Sequence, residues 1–151
     1  LTIHMPGPTP QELKKLLLSE GFEVYRTMGD RVILADRVRD NLIMDSGVSA
    51  VSVGDGLAVR FVVRAQAVDF PGESPDSLFT HARRTAGDAE GRGYAELTAT
   101  VVPIHDPGDR ERVLDTWYEV SYQREVADEA ELVAELRAAF AWPKVATRGT
   151  P

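Results

Sequence analysis

From Val113 to Val126 the chain reads VLDTWYEVSYQREV, and apolar and polar side chains alternate along it as they do in a half-buried strand. Successive side chains leave opposite sides of a strand. Leu114, Tyr118, Val120, Tyr122 and Val126 therefore share one face, and Asp115, Glu119, Ser121, Gln123 and Glu125 share the other. Trp117 falls among the polar set. A slip of one residue would bury Asp115 and Glu119, which burial of charge forbids, so the phase is set and the indole is expected to point away from the core.

This strand needs a partner, and Ala95 to Ile104 supplies one, joined to Val113–Arg124 through HDPGDRER, whose Pro and Gly favour a turn. With Ile104 opposite Val113, Ala99 meets Tyr118, Leu97 meets Val120 and Ala95 meets Tyr122, small against large on the expected buried face. The same register sets Thr100 opposite Trp117 and Thr98 opposite Glu119 on the outer face. Four further segments read as strands. Phe22 to Thr27 and Val32 to Asp36 flank MGDR, while VSAVSV and LAVRFVVRAQAV flank Gly54-Asp55-Gly56, both hairpin signals. Leu42 to Met44 suggests a short additional strand. In the long segment Leu57, Val59, Phe61, Val63, Ala65 and Ala67 form an apolar face, and Arg60, Arg64 and Gln66 lie opposite.

Three helix starts punctuate the strands. Thr9-Pro10-Gln11-Glu12 has a cap hydroxyl, Pro at the first position and Glu at the third. Leu13, Leu16 and Leu17 follow, and Gly21 ends the helix. Ser74-Pro75-Asp76 opens a second helix, with Leu78, Phe79, Ala82 and Ala86 on one side and Gly87 or Gly91 near its end. Asp128-Glu129 opens a third, carrying Leu132, Val133, Leu136 and Phe140 until Pro143. The order helix, three or four strands, helix, hairpin, helix defines an α+β class, a largely antiparallel sheet with helices on one face. The boundaries expected are a disordered start at residues 1–8, a single α+β domain at 9–142 and a frayed tail at 143–151. The pair His4-Met5 resembles a cloning junction and suggests a native start at Met5.

Composition narrows the functional classes. The net charge is −7 with a pI near 5.0. An acidic chain whose nearest basic pair is Arg60 and Arg64 is not expected to hold a phosphate backbone, which needs clustered Lys and Arg. No apolar run approaches membrane-spanning length. The chain contains no cysteine, which removes disulfides and thiolate chemistry and permits a reducing, cytoplasmic setting.

The capped helix from Thr9 to Glu20, the strands from Phe22 to Phe70, the helix Pro75–Glu90, the hairpin Ala95–Arg124 and the helix Glu129–Phe140 together resemble, in element order, the type III secretion chaperone-like fold shared with the YbjN family. That resemblance implies a non-enzymatic homodimer, without cofactor, that holds extended polypeptide on its sheet and helix surface. Two features depart from it: the stretch between Arg37 and Val53 adds a strand, and Arg60 and Arg64 line the outer face of the long strand.

The contact surface expected from the residues is Trp117, Thr98, Thr100, Arg60 and Arg64, with Trp117 as anchor, since Trp is enriched at interface hot spots. Against this stands half-coverage of the indole by neighbours such as Thr98 and Arg64. His81 and His105 lack the paired spacing of a metal site and read as surface histidines. Asp45–Ser49 (DSGVS) lacks the pattern of a nucleophile elbow, and SVGDGL is a hairpin turn, not a phosphate loop. The alternative class is a small-molecule sensor or enzyme with a pocket between sheet and helices, using His81, His105 or Tyr118.

Overall fold

A computed structural model describes residues 7–148; the suggested start at Met5 lies outside them. The fold is α+β. In chain order the elements are α1 (Pro10–Ser19), β1 (Val24–Met28), β2 (Arg31–Arg39), β3 (Leu42–Val53), β4 (Gly56–Gln66), α2 (Pro75–Thr85), β5 (Ala95–Asp106), β6 (Asp109–Val126) and α3 (Glu129–Phe140), with one turn of 3-10 helix at Ala67–Asp69. The six strands form an antiparallel sheet in the order β1-β2-β3-β4-β6-β5. Two compact units divide the chain: Leu1–Phe61 with Gln123–Ala141, and Val62–Tyr122 with Trp142–Pro151.

In the first unit α1 starts as its sequence dictates. The Glu12 amide donates to Thr9 Oγ1 (3.2 Å) and the Thr9 amide donates to Glu12 Oε1 (3.3 Å), so two otherwise orphaned donors are satisfied. Leu13 and Leu17 are buried, as are Leu132, Val133, Leu136 and Ala139 of α3. The register Val32↔Ala50↔Val59 puts three fully buried side chains in one row across β2, β3 and β4. Ile33↔Ser49↔Arg60 forms the adjacent row on the opposite face. β3 is longer than its sequence suggests: Leu42–Met44 is its beginning, not a separate strand. Gly47 at φ 80° interrupts the alternation, its amide donating to Asp45 Oδ1 at 2.7 Å, and the β2–β3 register shifts between Ile33 and Ala35. An irregularity of this kind hides a strand from a period-two reading.

In the second unit Ser74 Oγ accepts from the Ser77 amide (3.2 Å) and starts α2. The helix ends at Thr85, short of the expected Glu90, because Gly87 turns the chain at φ 63°. Leu78, Ala82, Phe70, Tyr94, Val63, Ala65, Val120 and Tyr122 are among the buried residues of this unit. The β5–β6 turn is tighter than HDPGDRER implied. It is Pro107-Gly108, with the Gly108 amide donating to Asp106 Oδ1 at 2.8 Å.

Two expectations fail in this unit. Ala95, Leu97 and Ala99 are exposed, not buried opposite Tyr122, Val120 and Tyr118. An 11-residue helix spans about 16 Å, whereas the 18 residues of β6 run about 60 Å, so α2 is too short to roof the hairpin. The tail beyond Pro143 does not fray at once. The Arg64 amide donates to the Lys144 carbonyl and the Ala146 amide donates to the Arg64 carbonyl, both at 2.8 Å, in a parallel bridge centred on Val145. The β3–β4 ladder ends at Val48↔Phe61, so Arg64 has backbone groups that the tail satisfies.

Candidate functional site

Trp117 lies where its strand phase puts it, on the side of β4 that carries Arg64 and not the side of buried Val63 and Ala65. It does not stand free. The Arg64 guanidinium carbon sits 3.8 Å from the ring centroid, a stacking contact worth about 1 kcal/mol when partly desolvated. The indole Nε1 donates to Asp115 Oδ2 at 3.0 Å, and Asp115 Oδ1 accepts from the amides of Val68 (3.1 Å) and Thr116 (2.7 Å). The ring is half-buried and fixed by its own chain. Coverage by Arg64 was foreseen; Asp115 was not, because no local pattern links it to Val68.

Thr98 and Thr100 are exposed on β5. The Thr98 hydroxyl meets that of Ser121 at 2.6 Å, so these two share a face, as the strand phases imply. Arg60 belongs to the first unit. Its Nε and Nη2 both donate to Gln123 Oε1, at 3.0 and 2.7 Å, and its burial holds the guanidinium pKa below its ordinary value. Of the five residues expected to form one contact surface, Trp117 and Arg64 are in direct contact, and Arg60 is engaged elsewhere.

The β5–β6 hairpin carries several open apolar side chains. Leu97, Val101, Val113 and Leu114 are each close to half exposed, at 47–49%. Sequence reading assigned Leu97 and Leu114 to the core face, and no local signal separates a core strand from an uncovered one. β5 also stands at the end of the strand order. From Leu97 to Val102 it reads LTATVV, without a charge or a proline.

Two residues of the alternative class, His81 and Tyr118, are held in place by their surroundings. His81 stacks on Phe70 (centroids 4.2 Å apart) and its Nε2 lies 2.7 Å from Glu73 Oε1. Glu73 also accepts from the Ser77 hydroxyl, and these two hydrogen bonds hold its carboxyl below the usual range. Tyr118 packs edge-on against Phe79 at 5.2 Å. His105 is exposed on β5, and Asp45–Ser49 lies inside β3, not at a strand-to-helix turn. A hollow of about 310 Å³ in the first unit has Phe22, Ala35 and Phe140 in its walls and Arg37 and Arg137 among its lining residues. Both arginines are engaged: Arg37 donates to both Glu23 oxygens (2.8 and 2.7 Å), and Arg137 Nη2 donates to the Glu20 carbonyl (3.0 Å). A second hollow, about 230 Å³, contains the Arg83–Glu96 pair. Among the described residues no three histidine, aspartate or glutamate side chains converge as metal ligands would, and no helix is long and apolar enough to cross a membrane.

Sequence reading missed one cluster entirely. Trp142 meets Tyr94 edge-on at 5.6 Å, and the Arg92 guanidinium stacks on its ring at 3.8 Å. Trp142 is too far from Arg92 and Tyr94 in sequence for any periodicity to join them. Comparison of the chain with protein-family models, with curated proteins and with solved structures finds no match.

Proposed function

We propose that this chain is a cytoplasmic protein-binding module that holds a polypeptide segment on its sheet surface as a homodimer and performs no covalent chemistry, in the manner the secretion-chaperone resemblance implies. One observation carries the reading: an edge strand, β5, exposed at every residue from Ala95 to Val101, with an uncharged stretch at its centre. Edge strands present unpaired N–H and C=O groups, and proteins normally blunt them with charge, proline or a bulge. At the other edge, β1 has five residues, a register shift between Val24 and Arg26, and the charge of Arg26 itself. Between Leu97 and Val102 β5 carries neither charge nor proline. A long open edge is the surface on which extended polypeptide adds as a further strand. Thr98 and Thr100 flank Ala99 on it, and the Trp117–Arg64 stack supplies a rigid aromatic neighbour in the same unit.

The test is native mass spectrometry of the full chain purified from its own cells, alongside Leu97→Lys. A defined polypeptide retained by the wild type and lost from the folded variant supports the module. A retained small molecule, unaffected by the substitution, overturns it in favour of the sensor or enzyme class.

A further inference from the structure

We infer that the β5 edge is closed by a second copy of β5, antiparallel, with Ala99 on the two-fold axis. The inference rests on the binding-module reading and names a second copy of this chain, in place of a foreign peptide, as the polypeptide that its edge holds. Pro103 lies inside β5 and has no N–H to donate, so it belongs where the ladder to β6 loses nothing, with its nitrogen on the open side. Backbone direction alternates along a strand, and the odd-numbered positions Leu97, Ala99 and Val101 then also present N–H and C=O outward.

A continuous sheet with two-fold symmetry pairs residues that share a face, so each position meets one of like parity. Centring on Ala99 sets Leu97 of one copy beside Val101 of the other, twice, with the small Ala99 pair between them. The two large side chains left 47% and 48% exposed in one copy thereby cover each other. On the opposite face Thr98 meets Thr100 twice, a favoured cross-strand pair. All outward donors and acceptors of Leu97, Ala99 and Val101 are used, in about six hydrogen bonds. Moving the axis to Thr100 would set Leu97 against Pro103 and lose donors.

Charge permits this partner. The nearest acid on β5 itself is Glu96, held by Arg83 Nε at 2.8 Å. In the Ala99-centred pair the two Glu96 residues stand about 20 Å apart along the strands, beyond the screening length of about 8 Å at physiological salt. An unrelated peptide would have to supply a matching uncharged strand; a second copy does so by symmetry. The paired strands alone bury less than a standard interface, so the dimer is weak and depends on concentration.

Sedimentation equilibrium of the full chain over a concentration series, with Val101→Lys and Ala99→Cys variants, decides the matter. The wild type is expected to dimerise reversibly. Val101→Lys, at an exposed site and checked for folding by circular dichroism, should raise the dissociation constant about tenfold or more. The chain has no cysteine of its own. Hydrogen-bonded antiparallel partners have Cα atoms about 5.5 Å apart, within disulfide range. Ala99→Cys should therefore oxidise rapidly to a single cross-linked dimer, and Leu18→Cys, on an exposed helical position, should not. A dimer indifferent to Val101→Lys, or one that fails to cross-link at position 99, overturns this inference and leaves the module reading standing. A monomer that retains a foreign polypeptide on β5 overturns this inference and the homodimer, and leaves polypeptide binding standing. A monomer that retains no polypeptide overturns both.

Discussion

Asp115 joins three donors: the indole of Trp117 and the amides of Val68 and Thr116. Replacing it with alanine takes the acceptor from the part-buried indole N–H and Thr116 amide, which costs about 1–3 kcal/mol, while the exposed Val68 amide turns to water. Asp115→Ala should lose that much stability in urea denaturation and shift tryptophan emission to the red, whereas Asp115→Asn, which keeps an acceptor oxygen, should lose less. The outward phase of Trp117 was legible because burying Asp115 and Glu119 is forbidden; the work of Asp115 was not, since its partner Val68 is 47 positions away. Acid sensitivity belongs at this scale too. The Arg37 hydrogen bond holds the Glu23 carboxyl below the ordinary range. Its folded pKa is then lower than its unfolded one, so the pair's contribution is fully present above the unfolded value and disappears as pH falls through the folded one. Between neutral pH and about pH 3, the wild type should lose more stability than Glu23→Gln in melts followed by circular dichroism.

Elements were legible where their chemistry is local. The caps at Thr9, Ser74 and Asp128 lie within a few residues of the groups they satisfy, and all three helices start where those residues place them. Thr9→Ala removes the acceptor of the Glu12 amide and should lower stability by about 1 kcal/mol in denaturant titrations. Elements whose alternation is broken were harder to read. β3 passes through Gly47 in a left-handed conformation, and a side chain there adds strain of about 1–2 kcal/mol. Gly47→Ala should show that loss if the bulge is obligatory. Alternation also describes a strand's two faces without revealing which of them is roofed. The contrast between buried Val120 and exposed Leu97, both apolar strand residues, depends on the reach of α2.

At the scale of the whole molecule, the decisive fact is strand order. Hairpin signals in the sequence join β5 to β6 and chain β1 to β4, but no residue states which member of the second hairpin docks on β4. The structure places β6 there and leaves β5 outermost, and this, rather than composition, exposes the LTATVV run. It also changes the electrostatic expectation for association. A dimer built through Arg60 and Arg64 against acidic groups would weaken as salt rises, since ionic contacts are screened. A dimer built through an uncharged edge brings together two chains of net charge −7, and their mutual repulsion is what salt removes. The screening length falls from about 30 Å at 0.01 M ionic strength to about 8 Å at 0.15 M. The dissociation constant from sedimentation equilibrium should therefore fall over that range. A constant that rises instead would show that charged side chains join the copies, and would move the interface away from β5.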